Sequence, residues 1–304
     1  MKIAAIDIGS NAVRLLICKV NIINEKVVYT KELMVRAPIR LGEQAFIYGE
    51  IYENRIQLLA KAMQSFKNLM EIYQVTHYKA FATSAMREAQ NGKEVIDRIY
   101  AETNIKIDKI DGDKEATTIF ENYKNRINEK HEGDTFLSID VGGGSTELIL
   151  FNEEKILAFR SFKTGTLRVK NFLVDDSLWI EMEKWLKALK KEHHPKIGFG
   201  SGGNIIKIHK LYMDGNFKKP ITLTALKEAK KHLESFNLRQ RIHEMGLKPD
   251  RADVIVPAAE IFTRVMTYGG INKLYIPKMG LSDGIIKLVY EEYKEQKEIM
   301  ASLT

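Results

Sequence analysis

The sequence predicts an α/β protein built as two homologous lobes, and three observations carry that prediction. Residues 6–17, IDIGSNAVRLLI, return without a gap as IDVGGGSTELIL at 139–150, with Asp7 and Asp140 standing 133 residues apart. Each copy is an apolar run of strand length, a turn of small residues and a second apolar run, the pattern of a β-hairpin. Behind each copy, strand-like runs alternate with segments whose apolar residues recur at helical spacing. A 133-residue period is far too long for a solenoid repeat and fits a duplicated domain. The chain has 304 residues, 44% of them hydrophobic, which is enough length for two cores.

Lys2 to Val20 reads as strand, Gly-Ser-Asn turn and strand, and Val27 to Arg36 as a third strand. Glu53 to Tyr73 carries Ile56, Leu59, Ala60, Met63, Phe66 and Met70 at helical spacing and is predicted helical. Tyr78 to Ala82 is a strand ending in Thr-Ser-Ala-Met-Arg. Gly92 to Asn104 is helix, Lys106 to Ile110 strand and Lys114 to Asn128 helix. The polar stretch 128–134 is the expected junction. It gives a first lobe over 1–128 and a second over 129–284. From Phe136 the hairpin pattern starts afresh. Leu178 to Lys191 is an amphipathic helix with a lysine-rich outer face. Lys196 to Phe199 is a strand that runs into Gly200-Ser-Gly-Gly and the apolar run Ile205 to Leu211. Thr224 to Phe236 and Ala252 to Tyr268 are helices, Lys273 to Ile276 a strand and Met279 to Gly284 a loop. Residues 285–304 are a closing helix that can pack back on the first lobe.

A net charge of +7 and a pI near 9.1 favour anionic partners such as phosphates, nucleotides, polyphosphate or nucleic acid. No nucleic-acid module or basic-aromatic stripe is found, so specific nucleic-acid binding is not expected. The single cysteine, Cys18, lies in an apolar run and reads as core, which excludes a disulfide framework within the chain. The opening MKIAAIDIG is charged too early for a secretory signal, and no apolar run reaches bilayer length. A soluble, cytoplasmic protein is expected, with a homodimer as the default assembly.

The glycines of 142–144 lie between two apolar strands rather than in a linker. Glycine permits positive φ and close backbone approach, and successive N–H groups in such a turn can cradle an anion. Two matched turns, each led by an aspartate, point to phosphoryl chemistry in a cleft between the lobes. The chain has no GxxxxGK[ST], which excludes a P-loop. Gly198, Gly200 and Gly203 satisfy GxGxxG, but no acidic residue closes a dinucleotide-binding unit at the expected offset. Gly200, Ser201, Gly202 and Gly203 instead read as a second phosphate loop at a helix N-terminus. No histidine spacing suits a metal site.

Asp7-Ile-Gly-Ser-Asn11 with Arg14, Thr83-Ser-Ala-Met-Arg87, and Asp140-Val-Gly-Gly-Gly-Ser-Thr-Glu147 resemble the exopolyphosphatase and guanosine pentaphosphate phosphohydrolase family. Gly200-Ser-Gly-Gly and Gly280-Leu-Ser-Asp-Gly284 agree in position. The resemblance covers essentially the whole chain. It implies two ribonuclease H-like lobes, as in actin and the sugar kinases, with an active-site cleft between them. Three departures stand out. Ala12 replaces the family's serine. Asp111-Gly-Asp-Lys replaces the usual loop before Glu115. Ser282-Asp283 stands where many members have Arg-Glu. Longer members add a C-terminal histidine-aspartate domain, so this chain resembles the short form.

The resemblance makes Glu115 the base that activates water. Asp140 and Glu147 flank the glycine turn, and two carboxylates beside a polyanion call for a hard cation, Mg²⁺ or Mn²⁺, with Asp7 sharing that task. The aspartates could equally serve turn formation. Arg14 and Arg87 are candidate phosphate grips, and Asn11, Ser84, Ser145 and the backbone of Gly142, Gly143 and Gly144 candidate neutral donors. The expected substrate is inorganic polyphosphate or guanosine pentaphosphate. A phosphotransferase of the same fold and a non-catalytic binding regulator remain as alternatives.

Overall fold

The computed structural model describes residues 1–123, 134–153 and 155–302. In chain order the elements are β1 (Lys2–Ile8), β2 (Val13–Ile23), β3 (Lys26–Ala37), α1 (Leu41–Tyr48), α2 (Glu53–Ile72), β4 (His77–Ala82), α3 (Ser84–Glu88), α4 (Gly92–Thr103), β5 (Asp108–Lys109) and α5 (Gly112–Phe120). After residue 133 come β6 (Phe136–Val141), β7 (Thr146–Phe151), β8 (Ile156–Phe162), α6 (Thr166–Lys170), α7 (Asp176–His193), β9 (Ile197–Ser201) and α8 (Gly203–Tyr212). β10 (Ile221–Thr222), α9 (Leu223–Glu234), α10 (Leu238–His243), α11 (Pro249–Ala252), α12 (Ile255–Gly269), β11 (Lys273–Tyr275) and α13 (Leu281–Ser302) complete the chain. It divides into two units, 1–122 with 281–304, and 123–280. The junction expected at 128–134 lies almost wholly outside the described residues.

The first unit is a five-stranded sheet of order β3-β2-β1-β4-β5, antiparallel across β1–β2–β3 and parallel across β1–β4–β5. Six consecutive residues of β1, Ile3 to Ile8, are buried, as a central strand covered on both faces must be. The apolar stripe of α2 (Ile56, Leu59, Ala60, Met63, Phe66, Met70) is buried against this sheet's core. Each such aliphatic or aromatic side chain contributes about 1.5–3 kcal/mol on burial. α13 packs on β1, β2, β4 and α5. Its Gly284 lies so close to α5 that a Cβ there would overlap the Thr118 carbonyl.

The second unit repeats the plan. Its sheet has the order β10-β11-β9-β6-β7-β8, antiparallel across β6–β7–β8 and parallel across β6–β9–β11. β10 is an added antiparallel edge strand. α12 is the helix at the centre of this unit's core, packing on α7, α8 and α9 through Ile255, Ala258, Ala259, Ile261, Phe262, Val265 and Met266. Both sheets have the ribonuclease H-like order expected from the sequence.

The structure corrects several local expectations. Leu281 to Gly284 is the first turn of α13, not loop. Ser84 to Glu88 is helical, and the strand read over 106–110 shrinks to Asp108–Lys109. α5 begins at Gly112 because Asp111 caps it, accepting the Lys114 N–H at 2.8 Å. That gives the departure Asp111-Gly-Asp-Lys a physical reason. No helix among the described residues is long and apolar enough to cross a membrane.

Candidate phosphate-binding and catalytic site

The two hairpin turns share one hydrogen-bond plan. In the first, the Gly9 N–H donates to Ala12 O (3.2 Å), Arg40 N–H to Asn11 O (3.2 Å) and Gly42 N–H to Ser10 O (2.9 Å). In the second, the Gly142 N–H donates to Ser145 O (3.0 Å), Gly165 N–H to Gly144 O (3.2 Å) and Leu167 N–H to Gly143 O (2.8 Å), while Thr166 N–H also reaches Gly142 O (2.9 Å). The chain that follows β3 or β8 thus holds the carbonyls of each turn. A trans peptide points its C=O and N–H in opposite directions. With the carbonyls of Gly142, Gly143 and Gly144 drawn toward α6, the N–H groups of Gly143, Gly144 and Ser145 face away from it. None of the three has an acceptor among the described residues. Three successive N–H groups left open in a turn can form an anion-binding concavity.

The glycines are not there for positive φ, as the sequence suggested: none of Gly142, Gly143 and Gly144 adopts it. The close approach at this turn is made by Gly165. A Cβ on Gly165 would overlap the backbone carbons of Gly143 and Gly144. Arg168, 8% exposed, adds its Nε–H to Gly144 O at 2.8 Å.

Strand register sets the side chains beside these turns. Asp7 faces Arg14 across β1–β2, and Asp140 faces Glu147 across β6–β7. In the first pair Arg14 Nη1 lies 2.6 Å from Asp7 Oδ2, with Asp7 buried. The charge of Asp7 is thus compensated by Arg14, which it orients. The second pair is two carboxylates. Glu147 is 1% exposed and accepts from Ser161 Oγ at 2.9 Å. The register continues to Ser201 on β9 and Ser161 on β8, so Ser161, Glu147, Asp140 and Ser201 form one row on one sheet face. Like charges opposite one another destabilise a ladder unless a cation intervenes. The described residues hold no group of three or more His, Cys, Asp or Glu around one point. The donor set here is two carboxylates, which fits Mg²⁺ or Mn²⁺ carried also by water and substrate oxygens.

The Gly200–Gly203 loop lies beside Asp140. Gly202 has φ 104°, and a Cβ there would sit 2.9 Å from Val141 O and 3.5 Å from Asp140 Oδ1. Ser201 is 1% exposed and its Oγ has no hydrogen-bond partner among the described residues. Gly200 is pressed against Leu274 and Ile276, and Gly203 lies against the Arg251 guanidinium.

In the first unit, Arg87 Nη1 donates to Ile110 O at 2.7 Å and lies 3.4 Å from Glu115 Oε2. Glu115 is 7% exposed on the first turn of α5. Ser84 Oγ lies 2.8 Å from Ser10 Oγ, both buried, so Ser84 ties α3 to the first hairpin turn. Asn11 sits in that turn, its carbonyl held by the Arg40 N–H. The sequence reading missed Ser10, Ser161, Arg168 and Arg251. Ser10 stood inside a quoted turn. Ser161 follows from strand alternation once β8 is recognised. Arg168 and Arg251 lie on helices of five and four residues, too short to show a period.

Two ribonuclease H-like sheets, each presenting a hairpin turn shaped by the same bonds, define a phosphate-handling protein of the actin-like class. The chain belongs to the Ppx/GppA phosphatase family, whose model matches residues 33–292. It is 30% identical over 290 residues to the bifunctional 3-dehydroquinate synthase/phosphatase of Fusobacterium nucleatum, covering 88% of this chain and 43% of that one. It therefore spans less than half of that relative. To exopolyphosphatase 1 of Mycobacterium tuberculosis it is 24% identical, over 94% of this chain and 87% of the relative. The crystal structure of an exopolyphosphatase from Cytophaga hutchinsonii has the same fold, with a TM-score of 0.81 at 24% identity, covering 94% of this chain and 97% of that one.

Proposed function

We propose that this chain is an exopolyphosphatase that removes the terminal phosphate of inorganic polyphosphate as orthophosphate. The observation that carries the reading is the concavity of the Gly143, Gly144 and Ser145 N–H groups beside the Asp140–Glu147 pair. These N–H groups bind the oxygens of the terminal phosphoryl and stabilise charge that develops there. Asp140 and Glu147 would hold Mg²⁺ or Mn²⁺, which when bound would neutralise phosphate charge. Glu115 takes the proton of the attacking water. The water oxygen bonds to the terminal phosphorus, the bridging P–O bond breaks, and the bridging oxygen leaves on the shortened chain. Arg87 holds Glu115 in place, and Arg14, fixed by Asp7, grips phosphate oxygens. The enzyme works in the cytoplasm, and a homodimer is its expected assembly.

The concavity reads a phosphoryl group and not what lies behind it. The 5′ γ-phosphate of guanosine pentaphosphate is therefore the second substrate to test. Purified protein with Mg²⁺ should release orthophosphate from polyphosphate, and Glu115→Gln should lower turnover by about 10²–10⁴-fold with binding retained. Release from guanosine pentaphosphate alone would move the reading to the second substrate. Release from neither would overturn it.

A further inference from the structure

The row of side chains that register sets across the second sheet has a counterpart in the first. In the second sheet it runs Ser161, Glu147, Asp140, Ser201 across β8, β7, β6 and β9. In the first it runs Arg36, Arg14, Asp7, Phe81 across β3, β2, β1 and β4. Matching positions therefore place Arg36 beside Arg14 and Ser161 beside Glu147. The first row ends in two cations, whereas the second frames its two carboxylates with hydroxyls.

Ser161 stands directly opposite Glu147 on an antiparallel pair, where facing side chains are neighbours. Its Oγ–H donates to Glu147 Oε1 at 2.9 Å. Glu147 is 1% exposed, and the next residues along its face of β7 are Ile149 and Phe151, both buried. A carboxylate in such surroundings is costly unless hydrogen bonds reach it. The cation next to Ser161 on β8 is Arg160, which strand alternation turns to the opposite face. There it pairs with Glu181 of α7 and lies 5.0 Å over the Phe162 ring. Position 161 thus gives Glu147 a donor that carries no charge. An arginine there, as at position 36 of the first row, would neutralise the carboxylate and compete with a bound metal ion. A hydroxyl orients it and leaves its charge in place.

We propose that Ser161 is a positioning residue, whose hydrogen bond holds the Glu147 carboxylate in the orientation that takes the divalent cation. The inference rests on the reading of Asp140 and Glu147 as the residues that would hold Mg²⁺ or Mn²⁺, and it adds the group that sets their aim. Removing a residue that orients a metal ligand costs about 10–100-fold in metal affinity or activity.

The test titrates Mn²⁺ into the purified protein and follows the loss of the free-ion electron paramagnetic resonance signal. Ser161→Ala removes the hydroxyl, Ser161→Thr keeps it, and Ser161→Val has the shape of threonine without it. Ser138→Ala is the control, because Ser138 is 0% exposed on β6 of the same sheet and bonds Tyr123 Oη at 3.2 Å rather than either carboxylate. Ser161→Ala and Ser161→Val should weaken Mn²⁺ binding by about tenfold or more and raise the Mg²⁺ concentration for half-maximal phosphate release in step. Ser161→Thr and Ser138→Ala should bind Mn²⁺ as wild type does. A merely structural role would lower the metal-free melting temperature of Ser161→Ala and leave its Mn²⁺ affinity unmoved. That result, or an equal loss of affinity in Ser161→Thr or Ser138→Ala, would overturn the assignment. If Ser161→Ala does not fold, the threonine and valine variants carry the same comparison. Wild-type protein that binds no Mn²⁺ would overturn the metal seat and the inference with it. Wild-type protein that binds Mn²⁺ but releases no phosphate would overturn the exopolyphosphatase reading alone, since the binding comparison still decides the role of Ser161.

Discussion

The two hairpins share a backbone and differ in charge. Gly9 and Gly142 donate to Ala12 and Ser145, Arg40 and Gly165 to Asn11 and Gly144, and Gly42 and Leu167 to Ser10 and Gly143. Opposite the leading aspartate, the first copy places Arg14 and the second Glu147. One ladder is neutral within itself, with Asp7 and Arg14 2.6 Å apart. The other sets two carboxylates, Asp140 and Glu147, side by side. Duplication supplies two equal frames, and one position, 14 against 147, sets a cation beside the first aspartate and a carboxylate beside the second.

The comparison is broken most severely by Asp140→Asn. Removing one carboxylate from the Asp140–Glu147 ladder should lower kcat/KM by roughly 10²-fold or more and raise the Mg²⁺ concentration needed for half activity. The same change in the first hairpin, Asp7→Asn, should raise KM through a loosened Arg14 and leave the Mg²⁺ requirement where it was. Equal shifts in metal dependence for the two variants would dissolve the distinction.

Gly165→Ala probes the backbone frame rather than the charges. Its Cβ would overlap the Gly143 and Gly144 carbons, so the turn must shift. Melting should reveal a loss of about 1–3 kcal/mol. Phosphate affinity should fall with it, because the turn's N–H groups lose their aim.

Buried counterparts on the second strands give the smallest effect. Cys18 on β2 and Phe151 on β7 occupy matching positions, 2% and 0% exposed. Burial first, then the nearby Asp283 carboxylate, push the Cys18 thiol up to about 12. Its thiolate is therefore scarce at pH 8, and a thiol reagent should label the folded protein far more slowly than the unfolded one. Rapid labelling of native protein would place Cys18 outside the core.

Much of this was legible in sequence because the strongest elements are periodic or repeated. The stripe of α2 appears as a pattern of six apolar residues, all buried, and the two hairpins announce each other. What stayed hidden depends on partners distant in sequence. The Asp7–Arg14 pair needs the antiparallel register. Met279 to Gly284 read as loop because Gly280 and Gly284 look like turn residues, whereas Gly284 lies inside α13, where contact with Thr118 of α5 leaves no room for a side chain. The packing of Gly200 against Leu274 and Ile276 likewise depends on partners distant in sequence.

The most direct test is orthophosphate release from polyphosphate by the purified protein before and after chelation of divalent metal. If the Asp140–Glu147 ladder is a metal seat, release should require Mg²⁺ or Mn²⁺, stop with the chelator and return when the metal is restored. Release that continues undiminished in excess chelator, or no release under any condition, would contradict the account.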